Sequence, residues 1–174
     1  MAAAAGLRQF VVKVASRCNL NCSYCYVYNQ ADTTWRDRPS LMSHATWDAT
    51  IERIRRHCLS SGRRSVEIVL HGGEPTLIGA ERLASMCGRA REHLDGVATL
   101  FLTIQTNATR LDPVWISTLR EHGIAVGVSL DGPKEVNDRY RVDRKGGGSH
   151  GRVVKGIDLL REGGMPFGIL SVVA

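Results

Sequence analysis

The chain has 174 residues, of which 43% are hydrophobic and 23% are charged, and its formal net charge is +6. This length and composition are typical of a soluble globular domain and exclude a disordered or fibrous chain. No apolar run approaches the length of a membrane-spanning helix, so we expect no membrane partner. The basic residues are scattered without interleaved aromatic residues, which argues against a groove for single-stranded nucleic acid.

The N-terminus, MAAAAG, lacks the basic segment and the long apolar stretch of an export signal. We therefore expect residues 1–9 to form a disordered tail, residues 10–174 to form one domain, and the protein to be cytoplasmic. Three of the five cysteines are clustered and two are isolated. This distribution favours a reducing compartment, in which thiolates bind metal instead of forming disulfides.

Short apolar runs rich in β-branched residues alternate with amphipathic helical patterns along the chain. The predicted strands are 10–15, 66–71, 100–105, 124–130 and 167–173. The residues predicted to form the buried faces of the first two helices are Trp47, Ile51, Ile54, Cys58, Leu83, Met86, Cys87, Ala90 and Leu94. Ser43 is the predicted N-cap of the first helix, Asp112 caps a third, and a fourth spans about 151–162. Such alternation predicts an α/β fold with parallel strands, as a barrel or an open sheet.

The cysteine cluster follows the first predicted strand. Cys18, Cys22 and Cys25 stand as Cys-x3-Cys-x2-Cys in one loop. Three thiolates so close together can hold a [4Fe-4S] cube and leave its fourth iron without a protein ligand. The alternative is a structural zinc site, which requires four ligands, and no fourth ligand stands nearby in the sequence.

This cysteine motif resembles that of the radical S-adenosylmethionine (SAM) enzymes. The resemblance implies a partial (β/α)6 TIM-like barrel, cut short after about the fifth strand, so that the chain would be the N-terminal portion of a longer enzyme. It also implies a [4Fe-4S] cluster, SAM bound at the open iron, and an external electron donor of the flavodoxin or ferredoxin kind. Reductive cleavage of SAM would give a 5′-deoxyadenosyl radical that abstracts hydrogen from the substrate, and no side chain would need to act as an acid or base.

A second motif, His71-Gly72-Gly73-Glu74-Pro75, ends the second predicted strand. Glycines allow close approach of a ligand to the backbone, and a carboxylate can accept a hydrogen bond from an ammonium group. The motif resembles the GGEP segment of radical SAM enzymes, which implies that Gly73 and Glu74 contact the SAM amino group and that Gly72 belongs to the same cofactor-binding turn. In isolation, the same residues would be an ordinary turn, and His71 either lines the pocket or simply ends a strand.

Polar groups also follow the third and fourth predicted strands, in the segments QTNAT and SLDGP. Thr106, Asn107 and Ser129 offer hydroxyl and amide groups suited to a ribose. Both segments resemble parts of radical SAM peptide-modifying and sulfatase-maturing enzymes, although Ala108 stands where a glycine is common. Asn107 and Asp131 have an alternative interpretation as turn formers.

Two further contacts are implied by the resemblance alone. Arg141 occupies the place of an arginine that clamps the SAM carboxylate, a role suited to a planar guanidinium. Tyr24 lies in the cysteine loop, where the family places an aromatic residue near the adenine. Asn137 replaces a usual histidine. The long polar segment 26–42 either covers the cluster, contacts substrate or forms a disordered flap.

The combined motifs look most like the SPASM-type branch, which includes sulfatase maturases and cyclophane-forming maturases of ribosomal peptides. This likeness implies a peptide or protein substrate. The auxiliary clusters of that branch would need a cysteine-rich C-terminal region, which this chain lacks. Two alternatives remain at this point, namely a non-catalytic iron-sulfur or electron-transfer module and an inactive truncated fragment.

Overall fold

The computed structural model describes residues 6–173, which form one open sheet of five parallel strands with helices packed against it. The strands are β1 Gln9–Ala15, β2 Ser65–Gly72, β3 Thr99–Thr106, β4 Ile124–Ser129 and β5 Phe167–Leu170. They pair in chain order, from β1 at one edge to β5 at the other. The predicted α/β class with parallel strands is therefore confirmed.

Five α-helices connect or follow the strands. They are α1 His44–Ser61, α2 Ala80–Leu94, α3 Pro113–Glu121, α4 Lys134–Tyr140 and α5 His150–Glu162. Two short 3-10 helices span Thr34–Asp37 and Pro75–Ile78. The four predicted helices correspond to α1, α2, α3 and α5, whereas α4 was not predicted. Among the described residues, no helix has the length and apolar character needed to cross a bilayer.

The core lies between one face of the sheet and the helices. Alternate residues of β2 and β3 are buried there, as expected for strands whose side chains alternate between faces. The Trp47 indole donates to the Met86 carbonyl oxygen at 2.8 Å, which joins α1 to α2. Ser43 and Asp112 accept backbone hydrogen bonds from Thr46 and Trp115, so both predicted N-caps are confirmed.

The end of β2 is held closely against the end of β1. Gly72 has a φ of +139°, and a Cβ atom there would lie 2.2 Å from the Ala15 carbonyl oxygen. Gly73 N–H donates to the Ala15 oxygen, and Glu74 N–H donates to the Arg17 oxygen, each at 2.9 Å. These bonds fix the start of the cysteine loop beside the His-Gly-Gly-Glu-Pro turn.

The fifth strand is shorter than predicted, because it ends at Leu170 and not at Val173. The following residues leave the ladder to bond with the turn after β4. Ser171 donates its hydroxyl to the Leu130 oxygen, and Val172 N–H donates to Asp131 Oδ1 at 3.1 Å. The predicted strand was too long because the apolar run continues to Val173, whereas the Val172 N–H bonds to the Asp131 side chain instead of to a neighbouring strand.

The predicted tail, 1–9, overlaps the first strand. Gln9 begins β1, and the Arg8 carbonyl oxygen accepts a hydrogen bond from Glu67 N–H at 2.8 Å. Residues 1–5 lie outside the described residues, and their predicted disorder stays a prediction.

The turn after β3 carries backbone strain. Ala108 has a φ of +55°, the left-handed conformation that glycine adopts more easily, and it is fully buried. Helix α5 packs against it closely, since a Cβ atom at Gly156 would lie 2.2 Å from the Ala108 carbonyl oxygen. A glycine at 156 therefore allows α5 to approach the strained turn.

We expect Gly156→Ala to lower the free energy of unfolding by about 1–3 kcal/mol, because the new methyl group overpacks against backbone that cannot move freely. Gly151→Ala on the same helix is the matched control, since no atom lies within 4 Å of its added Cβ. The control should be neutral or stabilising by up to about 1 kcal/mol, from helix propensity. Urea denaturation measures both, and equal midpoints for the two variants would contradict the packing argument.

Asp138 joins α4 to the start of α5. Its carboxylate accepts from Lys134 Nζ at 2.7 Å, from Asn137 Nδ2 at 3.1 Å and from His150 N–H at 2.8 Å. Burial opposes ionisation, but the hydrogen bonds prevail and lower the pKa of Asp138 to about 2. Because this pKa lies below that of the unfolded chain, the carboxylate stabilises the fold above about pH 4, and the effect is lost as the pH falls towards 2.

Asp138→Asn should lower the free energy of unfolding of the iron-free chain by about 1–2 kcal/mol at pH 7. The difference from the original chain should shrink between pH 4 and pH 2. Asp158→Asn is the control, because its ion pair with Arg161 is exposed and should contribute less than about 1 kcal/mol. A pH-independent difference for Asp138→Asn would show that ionisation does not matter there.

Candidate functional site

The predicted site residues all lie around one cavity of about 380 Å³ at the C-terminal ends of the strands. They are Cys18, Cys22, Tyr24, Cys25, Gly72, Gly73, Glu74, Thr106, Asn107, Ser129 and Arg141. The topology explains this convergence, because parallel strands bring the loops that follow them to the same edge of the sheet. The same cavity is also lined by His71, Gln105 and Val172. For His71 and Gln105, the position at the end of a predicted strand indicated this location, whereas nothing in the sequence indicated it for Val172.

The cysteine loop supplies three partly exposed thiols, and none of them forms a disulfide. Burial raises the pKa of Cys18 to about 12, and the nearby Glu74 carboxylate adds to this effect. Burial also raises the pKa of Cys22, while the Arg141 guanidinium opposes the shift. Iron ligation requires thiolates, so metal binding at this loop must release protons.

The donor set fits a [4Fe-4S] cluster. Three thiols from one loop face one cavity, and each would bind a different iron of the cube. Within residues 6–173, no group of three His, Cys, Asp or Glu side chains is arranged around a single metal ion. A cube does not require such an arrangement, because its thiolate ligands are spread over separate irons.

Glu74 accepts four hydrogen bonds within the protein, and its side chain is almost completely buried. Oε1 accepts from Thr76 N–H at 3.0 Å and from the Thr76 and Thr106 hydroxyls at 2.6 Å. Oε2 accepts from Asn107 N–H at 2.8 Å. The four bonds use the main acceptor directions of the carboxylate and tie the end of β2 to the end of β3. The predicted contact of Glu74 with the SAM amino group stays a prediction.

Tyr24, Asp131 and Arg141 form a second polar cluster, which joins distant parts of the chain. Tyr24 donates its hydroxyl to Asp131 Oδ2, and Arg141 Nη1 donates to the Tyr24 oxygen at 2.8 Å. Arg141 and Asp131 also form an ion pair at 3.9 Å, and their side chains are only 10% and 1% exposed. Burial, together with the Asp131 hydrogen bond, raises the pKa of Tyr24, so the phenol stays protonated at neutral pH.

The Arg141 guanidinium has a hydrogen-bond donor that the described residues leave unpaired. Its Nε is buried and has no hydrogen-bond partner among the described residues. A buried guanidinium donor beside a cavity favours an anionic ligand, and a carboxylate matches its planar geometry. Asp131, which the sequence left open between a site role and a turn former, forms an ion pair with this guanidinium. The sequence feature that indicated a site role for Asp131 was its position in SLDGP, directly after a strand.

Asn137, which stands where the resemblance expects histidine, is fully buried. Its Oδ1 accepts from Asp131 N–H at 3.3 Å, and its Nδ2 donates to the Ser149 hydroxyl at 3.1 Å. The side chain thus ties the turn after β4 to the start of α5. Ser129 accepts a hydrogen bond from Gln105 Nε2 at 3.0 Å, so these neighbouring strand ends are also joined.

The loop after the cysteines forms part of two cavities. A larger cavity of about 590 Å³ lies beside β1, and both cavities are lined by Tyr26, Val27, Tyr28 and Gly73. Tyr28 packs edge-on against Trp35, with ring centroids 4.8 Å apart. The predicted role of segment 26–42 as a cover or a substrate contact stays a prediction.

Comparison with known proteins identifies relatives over almost the whole chain. A serine-type anaerobic sulfatase-maturating enzyme of Klebsiella aerogenes is 35% identical over 164 residues, which cover 92% of this chain and 38% of that protein. A cysteine-type anaerobic sulfatase-maturating enzyme of Clostridium novyi is 28% identical and is aligned over 96% of this chain and 44% of its own length. The chain therefore spans about two fifths of the length of these relatives.

Solved structures show the same architecture. A histidine-tagged form of anSMEcpe with bound AdoMet superposes with a TM-score of 0.82 at 28% identity, covering 96% of this chain and 43% of that one. This likeness confirms the predicted partial barrel. The radical SAM superfamily model matches residues 12–173, and that family uses a [4Fe-4S] cluster and SAM. The chain belongs to the radical SAM superfamily.

Proposed function

We propose that this chain binds a [4Fe-4S] cluster through Cys18, Cys22 and Cys25 and binds SAM in the adjoining cavity. The supporting observation is the convergence of every predicted site residue on one cavity of about 380 Å³. When bound, the two cofactors together supply reductive cleavage of SAM to methionine and a 5′-deoxyadenosyl radical, which abstracts hydrogen from the substrate. The protein holds the cofactors and limits access of water to them.

Each part of SAM would be bound by the cavity residues whose chemistry suits it. Arg141 would hold the SAM carboxylate, because its guanidinium has a buried unpaired Nε beside the cavity. The turn at Gly72 and Gly73 lines the cavity with backbone alone, and its missing side chains leave room for Ala15, Arg17 and Tyr28. Tyr24 would stand near the adenine. Ribose contacts by Thr106, Asn107 and Ser129 stay predictions, since their side chains already bond within the protein.

The proposed substrate is a peptide or protein. Relatives of this chain are sulfatase-maturating enzymes, and one solved relative, native anSMEcpe, was determined with bound AdoMet and the Cp18Cys peptide. The reaction also needs one electron from an external donor, for which a flavodoxin or ferredoxin is the proposed class. Any auxiliary clusters of the SPASM type would be held outside this chain, because Cys58 and Cys87 are buried in the core.

Anaerobic electron paramagnetic resonance (EPR) of the iron-reconstituted, dithionite-reduced protein tests cofactor binding directly. We expect a reduced [4Fe-4S] signal that changes when SAM is added, because SAM binds the iron that lacks a protein ligand. A cluster signal that is unchanged by SAM would instead support a non-catalytic iron-sulfur or electron-transfer module. Failure of a folded chain to bind the cluster would contradict the proposal and favour the inactive fragment.

Arg141→Lys should weaken SAM binding by about tenfold or more, roughly 1.4 kcal/mol, because lysine keeps the charge but loses the fork of planar donors. Cluster content should be unchanged. Arg139→Lys is the matched control, since Arg139 is exposed in the last turn of α4, two residues before Arg141, and its guanidinium lies over the Tyr140 ring. Isothermal titration of SAM into the cluster-loaded protein gives both affinities, and equal affinities for the two variants would rule out the carboxylate clamp.

A further inference from the structure

We propose that Asn107 is a positioning residue that donates a side-chain N–H to Cys18 Sγ and thereby raises the reduction potential of the cluster. This inference rests on the proposed binding of a cluster at Cys18. Asn107 Nδ2 lies 3.9 Å from Cys18 Sγ, and the side chain is almost completely buried. The sequence suggested only a ribose contact or a turn former for this residue.

The orientation of the amide is fixed by its other partners. A backbone N–H can only donate, so the atom that faces Thr109 N–H at 3.1 Å must be the amide oxygen. The Thr109 hydroxyl donates to the same oxygen at 2.7 Å. The amide nitrogen of Asn107 must then face the opposite side, where it meets Asn19 Oδ1 at 3.0 Å and Cys18 Sγ.

Three side chains close a ring of hydrogen bonds around this amide. Asn107 donates to Asn19, Asn19 Nδ2 donates to the Thr109 hydroxyl at 2.8 Å, and Thr109 donates back to Asn107. Asn19 directly follows Cys18 in the loop, so the ring ties the cysteine to the turn after β3. The Asn107 backbone is held as well, through its N–H bond to Glu74.

The electrostatic effect follows from the charge of the ligand sulfur. Reduction adds an electron to the cluster, and part of the added negative charge resides on its thiolate ligands. An N–H aimed at such a sulfur stabilises the reduced state more than the oxidised state, which raises the potential. Leu20 N–H, at 3.4 Å from Cys18 Sγ, is a second donor.

The test is a reductive titration of the cluster-loaded protein, followed by EPR. Asn107→Leu keeps the approximate shape but removes the donor. We expect its one-electron midpoint to become more negative, with at least a threefold lower ratio of reduced to oxidised cluster at fixed potential, or about 28 mV at 59 mV per tenfold. Thr109→Val should give a smaller shift in the same direction, because it removes only part of the ring.

Asn29→Leu is the matched control, since the Asn29 amide donates to the Cys22 carbonyl oxygen at 2.7 Å and not to a sulfur. Its midpoint should equal that of the original chain. A purely structural role for Asn107 would lower cluster content without moving the midpoint, and an unmoved midpoint in a loaded Asn107→Leu protein overturns the inference. If Asn107→Leu loads no cluster, an unmoved midpoint in Thr109→Val overturns it. Failure of the original chain to load would contradict the proposed function instead.

Discussion

The buried carboxylate of Glu74 is the constraint on which the site depends. An ionised group away from water is tolerated only where hydrogen bonds replace its hydration, and here two strand ends supply four donors. Those donors would themselves be left unpaired without the carboxylate, at a cost of about 1–3 kcal/mol for each buried group. The ends of β2 and β3 are therefore held in one arrangement. This arrangement positions the turn at Gly72 and Gly73 and the ring of hydrogen bonds that Asn107 forms with Asn19 and Thr109.

The ion pair of Arg141 and Asp131 is a second buried charged feature of the cavity. Glu74 lies near Cys18 and disfavours its thiolate, whereas Arg141 lies near Cys22 and favours the charged form. The Arg141 charge is itself balanced by Asp131 and aligned by Tyr24. Cys18 therefore lies near a buried negative charge, and Cys22 lies near a buried ion pair whose positive member favours its thiolate.

Most of the fold could be predicted from the sequence, because strands and helices of ordinary length leave a clear period in the pattern of apolar residues. Helix α4 and the two 3-10 helices could not, since they are too short to show a period. The site residues at the strand ends were predictable because functional groups in parallel α/β folds follow the strands. Tyr24 and Arg141 were implied by the family resemblance alone. The internal bonds of the site were not predictable, since Tyr24 and Arg141 are 117 residues apart and only the folded chain brings them together.

The close fit between the cysteine loop and the glycine turn has a thermodynamic consequence. A Cβ atom at Gly73 would lie 2.0 Å from the Tyr28 hydroxyl oxygen and 2.3 Å from the Arg17 carbonyl oxygen, so the two segments pack without space between them. The two ends of the cysteine loop, at Arg17 and Tyr28, are therefore ordered by packing within the domain itself. In small zinc domains, by contrast, metal binding supplies the folding free energy itself. We therefore expect the iron-free domain to be folded, so that the proposed cluster would assemble on an existing scaffold.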